Sequence, residues 1–264
     1  PELAIRYIRY LTSGWDGEGG YNVDPDATWL VNHNVVYVLV LQNPDGHVVN
    51  EADTSAYRRK NMNNSLCPTG EFGIDLNRNH NFFWNCCGGS SGYPCDETYR
   101  GVSAGSEPET QAFQTYIASV IPDQNGPNDD ATIAPASPLT TTGTFISLHS
   151  YADKVLWPWD LPSPPPNEAG LETIGRKLAS YNGYSPTSIG YSVDGATDDW
   201  DIAQQATHGL AADVPLEGLF RTRQSVLGRH RWSEGRGERE GQSCEFHEHV
   251  PSGSYVLDPV RLRD

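Results

Sequence analysis

The rest of the chain is organised around residues 73–101, GIDLNRNHNFFWNCCGGSSGYPCDETYRG. This stretch places Arg78 between two amides, Asn77 and Asn79, and follows them with aromatic residues, adjacent cysteines and a glycine-serine turn. The planar guanidinium of arginine binds a carboxylate through two parallel hydrogen bonds. One interpretation is therefore that the stretch holds the carboxylate of a ligand, and the alternative is that Arg78 pairs with a nearby aspartate.

Length and charge limit the class of protein. The 264 residues suit one large α/β domain or two smaller ones, with enough chain for a sizeable core. The formal net charge of −16 argues against a nucleic-acid partner, which requires clustered cations. No apolar run reaches the roughly 18 residues of a membrane-spanning helix. We therefore expect neither a nucleic acid nor a membrane as partner.

The cysteines point to the compartment in which the protein folds. Cys67, Cys86, Cys87 and Cys95 lie close together, whereas Cys244 stands apart. Disulfide bonds in an oxidising compartment are the expected use, and a cysteine zinc site is the alternative, although no paired C-x-x-C pattern is present. The pairing stays open at this point. The chain opens at Pro1 in a helical pattern without an initiator methionine, which is typical of a processed chain or of a fragment whose start lies upstream.

Periodicity and turn signals predict an α/β fold in one domain, with a mixed, twisted β-sheet flanked by helices. The predicted helices cover 1–12, 107–120 after a capping box at Ser106, and 168–181 before Asn182-Gly183. The predicted strands are the apolar run at 35–42, followed by a turn at 43–46, and a second run at 144–148. Residues 158–166 predict a stiff, proline-rich excursion.

Two further places could carry chemistry. His149 follows a predicted buried strand, and ligands bind at the carboxyl ends of such strands. Its imidazole could bind zinc, or it could be an ordinary hydrogen-bonded residue at the sheet edge. Residues 190–200 predict a glycine-containing loop with Tyr191, Asp198 and Asp199. Such a loop could cover a site and donate a phenolic proton, or be a plain surface turn.

A series of motifs, taken together in order and spacing, resembles one family: the zinc metallocarboxypeptidases of the pancreatic carboxypeptidase A and B type, especially secreted bacterial members. The motifs are NPDG at 43–46, RRKN at 58–61, DLNRN at 75–79, CDETYRG at 95–101, SEPET at 106–110, SLHSY at 147–151 and DGATDDW at 194–200. The resemblance covers about residues 1–212. It implies a carboxypeptidase-like α/β fold whose first strands lie upstream of this chain, and a protein that is secreted, extracellular and monomeric.

The resemblance also implies the catalytic parts. His149 matches one ligand of a single Zn²⁺, and the other two are expected in an H-x-x-E motif upstream of Pro1. A zinc ion with an open position can polarise a carbonyl and activate water. Arg59 matches the arginine that stabilises the oxyanion. Glu217 is the nearest match to the catalytic glutamate, with Asp213 as a weaker candidate.

The substrate-binding parts follow from the same resemblance, and the implied substrate is the C-terminus of a peptide or protein. Asn77 and Arg78 match the pair that binds its terminal carboxylate, and Tyr191 matches the tyrosine that closes over it. Asp198 matches the base of the side-chain pocket, where a carboxylate is similar to members that accept Lys or Arg. Cys67 and Cys95 match a disulfide that braces the arginine loop.

The C-terminal part departs from the family. Pro215 argues against a normal strand around Glu217, and residues 221–241 show no apolar period. We therefore divide the chain into a carboxypeptidase-like domain at 1–212 and a divergent, partly irregular part of the same domain at 213–264. A shifted reading frame within 213–241 is one explanation, and plain divergence is the other.

Three functions stay in competition. The first is a zinc-dependent metallocarboxypeptidase that hydrolyses C-terminal peptide bonds. The second is a binding module that keeps the carboxylate clamp and lacks the full zinc site, and the third is a partial product without its own function. Because the sequence offers His149 alone as a clear ligand, we expect the chain as it stands to bind zinc poorly.

Overall fold

The computed structural model describes residues 1–14, 24–64, 67–68, 72–124, 138, 140–149, 152–158, 164–165, 167–188, 190–205 and 208–213, with backbone alone described for 202–213. In chain order the elements are α1 (Glu2–Gly14), α2 (Pro25–His33), α3 (Pro44–Ala52), a 3₁₀ helix (Leu76–Arg78), α4 (Pro108–Val120), β1 (Thr144–His149), β2 (Lys154–Trp157), α5 (Glu168–Asn182), β3 (Ser185–Ser188), α6 (Thr197–Gln205) and β4 (His208–Asp213). None of these helices is both long and apolar enough to cross a bilayer. Residues 159–163 of the predicted proline-rich excursion lie outside the described residues.

The four strands form a mixed sheet in the order β1-β4-β2-β3. β4 runs parallel to β1 and antiparallel to β2, and β3 runs parallel to β2. The register pairs Thr144 with His208 at one end of β1 and His149 with Asp213 at the other. The α/β prediction with a mixed sheet is confirmed, and the carboxyl ends of β1 and β4 meet at one edge.

Three predicted helices are present, and their ends follow from local sequence. α1 buries Leu3, Ala4 and Leu11, whose spacing puts them on one face. α5 stops at Gly183, which adopts the left-handed conformation (φ 76°) that glycine reaches without steric cost. α4 ends at Val120 as predicted. The predicted capping box does not form. The Ser106 hydroxyl instead accepts a hydrogen bond from the Asn79 side chain and donates one to the Glu107 carboxylate.

The predicted buried strand at 35–42 is wrong. Within it Val36 forms one isolated bridge, and Val35 and Leu39 are 49% and 44% exposed. A strand is stable when neighbours satisfy its backbone, and the sheet formed by the described strands does not include this run. The predicted turn at 43–46 begins a helix instead: the side chain of Asn43 accepts a hydrogen bond from the Gly46 N–H.

One hydrophobic cluster ties the organising stretch to the sheet. It joins side chains from the 73–101 stretch, α4, β1, β2, α5 and α6: Phe82, Phe113, Ile117, Ile121, Phe145, Trp157, Leu171 and Trp200. Burying this apolar area is the main force that holds these elements together. The 73–101 stretch is therefore anchored to the core through Phe82.

Disulfide bonds account for the cysteines in the described chain. Cys67 bonds to Cys95, as the family resemblance implies, and Cys86 bonds to its neighbour Cys87. These four cysteines do not form a zinc site, because each of their sulfurs is part of a disulfide bond. Cys244 lies outside the described residues.

Removing the Cys67–Cys95 bond should destabilise the protein. The bond closes a loop of 28 residues, and the loss of that constraint in the unfolded chain is worth about 3 to 4 kcal/mol. The double variant C67S/C95S should lower the free energy of unfolding by this amount in urea titrations. C86S/C87S is the control, because adjacent cysteines close almost no loop; an equal loss in both variants would contradict the expectation.

Candidate active site

The first part of the site is an ion pair built on Asp75. Asp75 is buried, and its carboxylate accepts from Asn77 N–H (3.1 Å), which starts the 3₁₀ helix. The same carboxylate binds Arg59 through Nε (2.9 Å) and Nη2 (2.7 Å). Burial lowers the pKa of Arg59, but the attraction of Asp75 outweighs it and the pKa is raised. Arg59 is thus a fixed cation whose side chain remains 35% exposed.

Arg78 is anchored differently. It is buried, and it donates from Nε to the carbonyl of Gly89 (2.9 Å) and from Nη1 to the carbonyl of Asn77 (2.6 Å). Its remaining nitrogen, Nη2, has no hydrogen-bond partner in the described part of the chain. The alternative of a simple Arg–Asp pair therefore describes Arg59 and not Arg78. Arg78 keeps a donor available for a ligand.

Asn77 precedes Arg78 in the sequence, and one hydrogen bond fixes the orientation of its side-chain amide. Its Oδ1 accepts from the backbone N–H of Thr197 at 2.9 Å. The amide therefore has Nδ2, a double donor, as its other end, and within the described ranges Nδ2 makes no hydrogen bond. Asn77 and Arg78, which are neighbours in the sequence, each keep a nitrogen donor of the kind that a carboxylate accepts from.

The predicted loop at 190–200 is partly wrong. Its first half is a loop, and Tyr191 on it is 58% exposed. Its second half is the first turn of α6, which begins at Thr197 and buries both Asp198 and Asp199. Acidic residues suit this position because the helix dipole favours negative charge at the N-terminus. Asp198 is consequently held by a helix, whereas Tyr191 lies on an exposed loop.

Asp198 is a buried carboxylate with unfilled hydrogen-bonding capacity. It is 2% exposed, and its Oδ2 has no hydrogen-bond partner among the described residues. Burial raises the pKa of Asp198, while the nearby charges of His149 and Arg78 act to lower it. An unpaired buried polar group is costly, so such groups in native proteins usually have a role. This one could receive a cationic group of a ligand.

His149 lies half-buried at the end of β1, and its Nε2 is 3.0 Å from Ser147 Oγ. Its charge acts to lower the pKa of Asp198, so the two side chains lie within electrostatic range of each other. Among the described residues, however, no group of three His, Cys, Asp or Glu side chains could hold a metal ion. A zinc site needs three or four ligands, so these residues do not fit a complete one.

The two candidates for a catalytic carboxylate differ in what is known of them. Glu217 lies outside the described residues. Asp213 is the last described residue of β4, and its backbone pairs with His149. β4 ends at Asp213, and the choice between Asp213 and Glu217 stays a prediction.

His80 is a buried polar residue in contact with Thr197 that sequence reasoning did not single out. It is fully buried, with its Nε2 3.0 Å from Thr197 Oγ1 and its Nδ1 3.2 Å from Gln114 Nε2. Burial lowers its pKa to about 3, so the imidazole is neutral. Its position directly after the Asn-Arg-Asn triplet was the available signal.

Known proteins with similar sequences agree on the family. The family model described as zinc carboxypeptidase matches residues 1–223. Carboxypeptidase A1 from Rattus norvegicus is 28% identical over 211 residues, which cover 75% of this chain and 45% of the rat protein. Carboxypeptidase B from Bos taurus is 29% identical over 196 residues, or 70% of this chain and 42% of the bovine protein. The chain thus spans about half the length of the curated relatives it matches.

Solved structures show the same fold. The crystal structure of carboxypeptidase A from Helicoverpa armigera matches with a TM-score of 0.58 and 21% identity, covering 81% of this chain and 48% of that one. The structure of thrombin activatable fibrinolysis inhibitor matches with a TM-score of 0.61 and 23% identity, covering 82% and 50%. At these identities the likeness speaks for the fold alone.

Acid should destabilise the protein partly through His80. Its pKa is about 3 when folded against 6.5 normally, so below about pH 6.5 the unfolded chain binds a proton that the folded chain does not. The free energy of unfolding should then fall by up to about 1.4 kcal/mol per pH unit. Urea titrations between about pH 7 and 5 should show a shallower fall for H80Q. H33Q, at an exposed helix end, should keep the wild-type slope, and identical slopes for H80Q and wild type would contradict the expectation.

Proposed function

Since the chain belongs to the zinc carboxypeptidase family, we propose that the protein carrying it hydrolyses the C-terminal peptide bond of peptides, with a preference for a basic C-terminal residue. One observation carries this proposal: three groups around the 3₁₀ helix have no hydrogen-bond partner in the part of the chain that the structure describes. They are donors on Asn77 and Arg78 and the buried acceptor of Asp198. A C-terminal lysine or arginine offers the complementary groups, a carboxylate and a cation.

The substrate would be held at both of these groups. Its terminal carboxylate would accept from Arg78 Nη2 and Asn77 Nδ2, and its basic side chain would extend to Asp198. Tyr191, on the exposed loop, would close over the bound residue. Tyr191 already lies near enough to Arg59 to affect its pKa, which supports placing both beside the same substrate. Arg59 would stabilise the negative charge that develops on the scissile carbonyl oxygen.

We propose Asp213 ahead of Glu217 as the general base. Its support is the β1–β4 register, which sets Asp213 opposite His149 at the carboxyl edge of the sheet, where ligands of α/β folds bind. Glu217 remains the second candidate. D213N should abolish hydrolysis while peptide binding persists, whereas E217Q would do so if Glu217 were the base.

The family description names zinc, and we propose His149 as one of its ligands. Because the described residues do not supply a complete ligand set, further ligands would have to come from elsewhere in the protein. Titration of the 264-residue chain with Zn²⁺ should accordingly show weak binding that H149Q weakens further. Tight, stoichiometric binding would refute this expectation.

A non-catalytic binding module is the second candidate function. The absence of a three-ligand group among the described residues favours it, while the carboxylate donors of Asn77 and Arg78 are retained. Hydrolysis of a peptide ending in lysine, abolished by a chelator, would identify the hydrolase. Binding of the same peptide that a chelator leaves unchanged, without hydrolysis, would identify the module.

We also propose a secreted, monomeric protein whose residues 213–264 are a divergent part of the same domain. The two disulfide bonds support an oxidising compartment. The family match ends at residue 223, which supports a sequence that diverges from the family in the C-terminal part. Gel filtration and thiol titration of the protein from its culture medium would test the first two points.

Replacing Asp198 should remove the preference for basic C-termini. In D198N the shape is kept but the charge is lost, and a charge-assisted hydrogen bond is worth about 1.5 to 3 kcal/mol. The ratio of affinities for peptides ending in lysine and in leucine should therefore fall about tenfold to a hundredfold, measured by calorimetry on the metal-free chain. E51Q, which removes a charge from the exposed end of α3, is the control, and an unchanged ratio in D198N would contradict the basic preference.

A further inference from the structure

His80 has a set of contacts that its place in the core does not by itself require. Its ring lies between Phe113, in an edge-on contact at 5.5 Å, and Trp200, tilted at 5.6 Å. Those contacts would be served as well by a wholly apolar ring. Both of its nitrogens, however, lie within hydrogen-bonding distance of polar side chains, those of Thr197 and Gln114. The polar contacts therefore need a separate explanation.

The neighbours of His80 decide which nitrogen carries the proton. Gln114 Nε2 is an amide donor, and it also donates to Asn81 Oδ1 at 3.2 Å, which agrees with that assignment. His80 Nδ1 must then accept, so the proton of the neutral ring is on Nε2. Nε2–H consequently donates to Thr197 Oγ1 at 3.0 Å.

This donation fixes the first residue of α6. Thr197 is 2% exposed and is held twice: its hydroxyl by His80 and its backbone N–H by Asn77. The backbone of His80 holds the preceding turn as well, through its N–H to the Gly195 carbonyl at 3.0 Å. The residue after Thr197 is Asp198. The orientation of the Asp198 carboxylate depends on the position of this first helical turn.

We propose that His80 is a positioning residue for the specificity pocket, which holds Thr197 so that the Asp198 carboxylate faces the ligand's cationic group. This inference rests on the proposed basic preference at Asp198. An apolar ring at position 80 would fill the same space but would leave the buried Thr197 hydroxyl without its donor. The first turn of α6 could then adopt a different position, which would move the Asp198 carboxylate.

A set of matched variants tests the inference on the metal-free chain. H80F keeps the ring and removes the donor, T197V removes the acceptor, and H80Q keeps an amide donor without the ring. Calorimetry would compare a peptide ending in lysine with the same peptide ending in leucine. H80F and T197V should each reduce the ratio of the two affinities about tenfold, H80Q should restore part of it, and H80F/T197V should lose no more than either single variant.

The outcomes separate this inference from the proposed function. A wild-type chain that shows no lysine preference would refute the function and the inference with it. A wild-type preference that persists in H80F and T197V, with only the melting temperature lowered, would overturn the inference alone. If H80F does not fold, T197V and H80Q decide. Nitrogen NMR of the imidazole gives an independent check, because a proton on Nδ1 of His80 would also overturn the proposal.

Discussion

One hydrogen bond, from the Thr197 backbone N–H to Asn77 Oδ1, joins segments 120 residues apart, and the candidate site depends on it. It holds the first turn of α6 against the 3₁₀ helix. The side chains of Asn77 and Arg78 therefore lie in the same part of the molecule as Asp198. The close approach is possible because Gly195 has no side chain: a Cβ there would lie 2.5 Å from the Arg78 carbonyl oxygen. The hydrophobic cluster beneath supplies the stability, while this bond supplies the alignment.

Two of the buried aspartates, Asp75 and Asp198, differ in their hydrogen-bond partners. Asp75 is fully engaged, by Arg59 and by the start of the 3₁₀ helix, so its burial is compensated. Asp198 is equally buried, but its Oδ2 has no hydrogen-bond partner in the described ranges, and burial raises its pKa. Because a buried carboxylate without partners costs stability, Asp75 is part of the framework, whereas the Asp198 carboxylate is the group that we propose binds a ligand's cation.

The sequence predicted correctly those helices whose ends and buried faces depend on residues close together in the chain. The spacing of Leu3 and Leu11 and the glycine at 183 identified α1 and the end of α5. The run at 35–42 misled because an apolar strand signal says nothing about whether neighbouring strands are there to pair with it. His80 was overlooked for the same reason: its role depends on Thr197, which lies 117 residues away in sequence. The family motifs pointed to Asn77, Arg78 and Asp198, but the structure was needed to show which of their atoms lack hydrogen-bond partners among the described residues.

The way in which Arg78 is anchored also has a thermodynamic consequence. An arginine side chain normally has many rotamers, and fixing it on a ligand costs conformational entropy. Here the carbonyls of Asn77 and Gly89 have already selected one rotamer. That cost is met once, when the chain folds, and not again at each encounter. A carboxylate arriving at Nη2 therefore meets a preorganised partner, and more of the interaction free energy appears as affinity.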